Sequence, residues 1–249
     1  MNISEIVKNK TELISLKKAE MKTVSGGITS ISKTSALKGV FKDSELTLER
    51  TIVGNTYLWM DSHDDVHAKN IFAKSIQESK NIFHLHDHEF KITAKVGEPM
   101  KVYEQTISWK DLGVEKEGTT QALLMDTEIK KYYNSQVFTE YKSNKINQHS
   151  VGMVYVKIDL AVNDPEFEDE FKVWSDNIDS IGNQDKAEKK GYFWLVREAK
   201  LLEISAVLLG SNELTPTLPE HEDPEEADII TSTNEPMKIT QDLLKRRNI

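Results

Sequence analysis

Gln148-His149-Ser150-Val151-Gly152-Met153 decides how this chain is read. A serine opens an apolar, alternating run through Val151, Met153, Val154, Val156, Ile158 and Leu160, the pattern of a strand with a buried face. Just upstream, from Glu128 to Ile146, Ile129, Tyr132, Tyr133, Val137 and Tyr141 fall at helical spacing. Ser150 therefore sits where a helix hands over to a strand that runs to Val162. Gly152, two residues on, can let a backbone approach closely or form part of an oxyanion hole. A serine hydroxyl needs a base to become a nucleophile, and histidine is the usual base. A histidine-dense patch, His84-Leu85-His86-Asp87-His88, lies upstream, and Glu203-Ile204-Ser205-Ala206-Val207 downstream offers an acid to orient the base. The chain order His, Ser, Glu matches none of the three familiar serine-hydrolase orders.

Composition narrows the classes. The chain has 249 residues, 38% hydrophobic and 29% charged, which suits one large globular domain or one domain with appendages. A net charge of -9 argues against broad nucleic-acid binding, which needs clustered Lys and Arg. The absence of cysteine excludes a disulfide scaffold, a thiol nucleophile and thiolate metal ligands, and fits a reducing cytoplasm. No apolar run approaches the ~20 residues of a membrane-spanning helix. The segment Met1-Asn2-Ile3-Ser4-Glu5 lacks the form of a signal peptide. No membrane association is expected.

Residues 1–20 read as an amphipathic helix with Ser4 as its N-cap, and residues 21–218 as the main domain. Within that domain Ala36 to Val53 alternates loosely around a turn at Gly54-Asn55. The strands Ile82 to His86 and Lys101 to Gln105 are joined across Gly97-Glu98-Pro99. Residues 164–190 form a charged insertion that opens with five acids in seven residues. Phe167, Phe171, Trp174 and Ile178 give it one apolar helical face. Tyr192 to Leu209 returns as a long strand. Residues 219–249 read as an acidic, proline-bearing linker followed by a short basic segment, Lys245-Arg246-Arg247.

Residue type alone leaves the roles open. His84, His86 and His88 stand at i, i+2 and i+4, so on a strand all three point to one face. Three imidazoles on one face suit a zinc ion, and a metal-dependent hydrolase is one alternative. A half-exposed polar strand is another. Glu203 lies in an apolar stretch, where a buried carboxylate needs a partner, and Glu198 is a second candidate on the same strand.

Together these segments resemble the motifs of tailed-bacteriophage prohead (capsid maturation) proteases. The matching pieces are His84-Leu85-x-Asp87-His88, Gln148 to Met153, and Glu203 to Val207 followed by Gly210-Ser211-Asn212. The stretch Trp59-x-Asp61-Ser62-His63-x-Asp65-Val66 is also similar to the family's opening segment. The resemblance spans about residues 50–216. It implies an α+β fold like that of the herpesvirus assembly protease, a mostly antiparallel β-barrel surrounded by helices. By the same match Ser150 takes the nucleophile position, His88 the base position with His86 as alternate, and Glu203 the third position with Glu198 as alternate. Three departures stand out. His84, His86 and His88 leave the choice of base open, with Glu89 in place of the usual aspartate if it is His88; residues 164–190 lengthen the gap between serine and acid; and Leu208-Leu209-Gly210-Ser211-Asn212 replaces a Pro-Ala-Asn turn.

The implied function is a serine endopeptidase without metal or other cofactor. It would act inside the viral procapsid in the host cytoplasm, with scaffolding protein and major capsid protein as substrates. Self-cleavage and a homo-oligomer are left open. A protease-fold procapsid component that has lost activity is a further alternative.

Overall fold

A computed structural model of the protein describes residues 2–19, 39–79 and 81–219. The expected tail beyond Pro219 and the punctuation at Gly26-Gly27 lie outside these residues. The chain opens with helices α1 (Ile3–Lys8) and α2 (Lys10–Ala19). Strands β1 (Phe41–Asp43), β2 (Thr47–Thr56) and β3 (Asp65–His67) follow, then helix α3 (Ala73–Glu78). Next come β4 (Phe83–His86), β5 (Lys95–Ser108), β6 (Thr119–Lys130) and helix α4 (Ser135–Lys142). Strand β7 (His149–Val162), helices α5 (Glu168–Asn177) and α6 (Gln184–Lys190), and strand β8 (Tyr192–Ala206) complete the order.

The architecture is α+β, an eight-stranded mixed sheet with order β1-β2-β6-β5-β4-β8-β3 and with β7 paired to β8. Strand β8 organises it. One edge carries β4 and β3, both parallel to it, and the other carries β7, antiparallel along nearly its whole length. The expected closed, mostly antiparallel barrel is therefore corrected in two respects: β8 has two parallel neighbours, and among the described residues no strand pairing closes the sheet. The reason lies at residues 212–218, which run irregularly between β7 and β2. The Thr215 hydroxyl accepts the His149 N–H at 3.1 Å and donates to the His149 carbonyl at 2.7 Å. On the other side the Val53 N–H donates to the Pro216 carbonyl and the Leu218 N–H to the Thr51 carbonyl.

Both faces of the sheet are buried, as the side-chain alternation requires. Ile52, Leu123, Met125, Val151, Met153, Trp194, Val196 and Ile204 pack on one face. Val53, Ala122, Leu124, Ala161, Phe193 and Leu195 pack on the other, against Trp174 and Ile178 of the expected 164–190 helical segment. Among the described residues no helix is long and apolar enough to cross a membrane.

Local expectations shift where tertiary pairing overrides them. The N-terminal helix is two helices joined at Asn9, and its cap is Asn2, in a capping box with Glu5, rather than Ser4. Gly54-Asn55 is a bulge inside β2, not a turn, because Gly54 makes room for the Ile204 side chain. Gly97-Glu98-Pro99 likewise lies within β5, which bulges there instead of ending. The helix expected over 128–146 shortens to α4, since Glu128 to Lys130 belong to β6 and bury Ile129 by strand alternation.

The clamp at residue 215 gives a stability expectation. Thr215 is fully buried, and Thr215→Val keeps its shape while removing both contacts to the His149 backbone. Two buried groups left unpaired should cost about 1–3 kcal/mol. A lowered urea midpoint with an unchanged slope would agree with this, and wild-type stability would not.

Candidate active site

The antiparallel register of β7 on β8 places Ser150 opposite Ser205 and Gly152 opposite Glu203. Directly paired residues share a sheet face, so Ser150, Gly152, Glu203 and Ser205 stand together. They lie on the face opposite Val151 and Ile204. Gly152 is glycine for a spatial reason: a Cβ there would sit well inside contact distance of the Glu203 carboxylate. The site therefore uses Gly152 to seat the carboxylate.

His88 reaches this face by a backbone reversal. Strand β4 ends at His86, and Asp87 and His88 both adopt left-handed conformations, with φ of 52° and 55°. Two successive non-glycine residues in that region are strained, of order 1–3 kcal/mol each, and must be held by their surroundings. The holding contacts form a ring. The His88 backbone N–H donates to the Ser205 hydroxyl at 3.1 Å, and that hydroxyl donates to Glu203 Oε2 at 2.6 Å. His88 Nδ1 closes the ring on Glu203 Oε1 at 2.6 Å. A carboxylate can only accept, so the proton of this contact belongs to Nδ1 and Nε2 is the ring's basic nitrogen. Nε2 is buried and has no hydrogen-bond partner among the described residues. Glu203 is fully buried with both oxygens engaged.

The other histidines go elsewhere. His84 and His86 stay on the strand while His88 has turned off it, so the expected single face of three imidazoles is corrected. His84 is fully buried in a second network. Its Nδ1 meets Thr127 Oγ1 at 3.0 Å and its Nε2 meets the Tyr141 hydroxyl at 3.1 Å. The same hydroxyl lies 2.9 Å from His149 Nε2, and His149 Nδ1 donates to the Thr215 carbonyl at 2.8 Å. Burial pushes His84 down to about 3 and His149 down to about 4, so both are neutral and structural. His86 contacts Asp87 Oδ2 through Nδ1 and Asn134 through Nε2. Among the described residues no group of three or more His, Asp or Glu side chains is placed to hold a metal ion.

The structure thus brings together Ser150, His88 and Glu203 on one face and leaves the alternates out. Ser150 makes no side-chain hydrogen bond to His88, so the serine and the imidazole share the face without touching through a hydrogen bond. Glu198 pairs with Lys157 at 2.7 Å and Lys74 at 3.7 Å, five residues along β8 from Glu203. Glu89 is surface-exposed and bonds Lys91. Ser205 was not foreseen as a site residue. Its signal was its position two residues after Glu203 on a strand, which guarantees a shared face.

Comparison with protein-family models, with curated proteins and with solved structures finds no match.

Two expectations follow. Gly152→Ala should drive the new methyl into the Glu203 carboxylate and cost about 1–3 kcal/mol, as overpacking does; unfolding in urea at wild-type concentrations would contradict it. The pH dependence has a definite sign. Unfolded histidines take a proton near 6.5, whereas folded His84, His149 and His67 refuse it until about 3, 4 and 4. The unfolded state binds more protons in this window, so stability falls as pH drops below about 6.5. Each histidine contributes up to about 1.4 kcal/mol per pH unit. Asp65, pushed up to about 6 by burial and by neighbouring Asp61, works in the opposite direction and offsets about one histidine. Urea unfolding at a series of pH values should show this slope reduced in His149→Gln; an unchanged slope would contradict the assignment.

Proposed function

We propose that the protein is a serine endopeptidase of the prohead-maturation type, with Ser150 as nucleophile, His88 as base and Glu203 as the group that orients the base. One observation carries this reading. A buried carboxylate fixes the His88 imidazole through Nδ1 and leaves Nε2 without a partner, on the sheet face that also bears Ser150. That is the acid–imidazole half of a triad. The resemblance of the three segments to the prohead proteases, in matching chain order, adds the substrate class.

The chemistry is acyl transfer. The Ser150 oxygen bonds to the scissile carbonyl carbon as its proton passes to His88 Nε2, and the carbonyl electron pair moves onto oxygen. Collapse of that intermediate breaks the C–N bond, and His88 returns the proton to the departing amine. Water then repeats the sequence on the acyl-enzyme. The Glu203 carboxylate orients the ring and stabilises the imidazolium, and Ser205 holds the Glu203 carboxylate and the His88 backbone in place. The substrates are the scaffolding protein and capsid-protein segments within the procapsid. The metal-dependent alternative finds little support, since His84, His86 and His88 each engage different partners.

Co-expression with the neighbouring capsid gene product, followed by fragment masses, tests the reading. Ser150→Ala and His88→Ala should each abolish processing, a loss of ~10⁶ in rate in a well-characterised triad, while both proteins stay folded. Glu203→Gln should cost ~10⁴, the scale seen when the orienting acid of a triad is neutralised. Fragments at wild-type levels from the Ser150→Ala protein would overturn the protease reading. Dead His86→Ala with active His88→Ala would move the base to the alternate.

A further inference from the structure

A second group of titratable side chains lies beside Ser150 and is not used by the mechanism above. A cavity of about 10 Å³, the size of one oxygen atom, is lined by Asp61, His63, Ser150, Val151, Tyr155 and Ser211, with Met153 at its wall. The strand geometry aims a backbone donor at this side. The N–H and C=O of His149 both engage Thr215, so they point away from β8. In an antiparallel ladder every second residue points the same way, which sends the Val151 N–H to the side of β7 away from β8. His63 is built into the cavity by Asp61. The carboxylate of Asp61 accepts the His63 backbone N–H at 2.8 Å and the Asp65 N–H at 3.0 Å through Oδ1. Its Oδ2 lies 3.9 Å from His63 Nδ1, an ion pair rather than a hydrogen bond.

The geometry points to this cavity as the oxyanion site of the reaction, with the Val151 N–H and the His63 imidazole as its donors and Asp61 as the residue that positions His63. The inference rests on the reading of Ser150 as nucleophile. When the Ser150 oxygen adds to a carbonyl, the carbonyl oxygen becomes an anion within reach of the serine. A cavity of one-oxygen size at the nucleophile, with a backbone N–H and an imidazole N–H at its wall, stabilises such charge where it develops. Asp61 is buried and balanced by its backbone donors and by His63. Lys17 and the Tyr155 hydroxyl balance Asp65, at 2.5 Å and 2.7 Å, so the anionic groups at the back of the cavity are each neutralised. His67, the remaining histidine of this group, is buried and uncharged. The interaction with Asp61 holds His63 above its ordinary range, against the effects of burial and of Lys17. His63 therefore holds its proton to higher pH than a free imidazole, and the site loses its positive donor as pH rises through the raised value.

The test is the rate at which a fluorophosphonate labels Ser150 in the full chain, since the phosphonyl oxygen occupies the same site as a carbonyl oxygen. Labelling is followed by intact mass across a pH series, with melting temperatures for each variant. His63→Ala should slow labelling by 10² to 10³ at an unchanged melting temperature, and the fall in rate at alkaline pH should vanish. Asp61→Asn retains the acceptor for the two backbone N–H groups but removes the charge that raises His63, so it should shift the alkaline fall to lower pH. A His63→Ala protein that labels at the wild-type rate overturns the inference. If His63→Ala melts early, Asp61→Asn decides, and an unmoved alkaline fall overturns it. A folded wild-type protein that takes no label at Ser150 refutes the nucleophile reading itself, which separates that failure from a failure of the His63 assignment.

Discussion

The register of β7 against β8 is the constraint on which the candidate site depends. It sets Ser150 beside Ser205 and Gly152 beneath Glu203, and it fixes which face of the sheet each occupies. A slip of one residue would throw every one of these side chains to the opposite face. The register is strongly specified because both faces are buried. Val151, Met153 and Ile204 belong to one core cluster and cannot exchange places with Ser150 and Glu203 without burying unpaired polar groups. The missing Cβ at Gly152 adds a steric key, since a side chain there would collide with the Glu203 carboxylate.

Two histidine networks flank this register and have opposite character. On one face His84, Tyr141 and His149 form a chain of neutral donors and acceptors that ties β4, α4, β7 and Thr215 together. Every ring nitrogen in it is satisfied, so it stabilises and orders the fold. On the other face His88 is held at Nδ1 and in its backbone while Nε2 has no partner among the described residues. The left-handed backbone at Asp87 and His88 is the local strain that lets one short segment serve both faces.

Much of this was legible in the sequence, and the failures have identifiable causes. The handover into β7 near Ser150 and the reach of β7 to Val162 followed from apolar alternation, whereas the residues left open whether Glu203 points inward to a partner or outward, with Glu198 as an alternate. The shared face of three histidines was misread because alternation holds only while the strand continues, and nothing in the letters marks Asp87 and His88 as left-handed. The helix over 128–146 was overextended because Ile129 fits both a 3.6-residue and a 2-residue period. Gly54-Asn55 looked like a turn because the long-range contact that demands it, Ile204 packing on Gly54, is invisible locally. The parallel pairing of β3 and β4 to β8, and the irregular segment 212–218 in place of barrel closure, likewise join residues far apart in sequence.

The central claim is that Glu203 fixes His88 as an Nδ1–H tautomer whose Nε2 serves Ser150. Long-range ¹H–¹⁵N NMR of the His88 imidazole, before and after phosphonylation of Ser150, tests it most directly. The account predicts a protonated Nδ1 with a strongly deshielded proton, a basic Nε2, and a shift of the His88 signals when Ser150 is modified. An Nε2–H tautomer in the free protein, or His88 signals that do not respond while Ser150 carries the label, would contradict it.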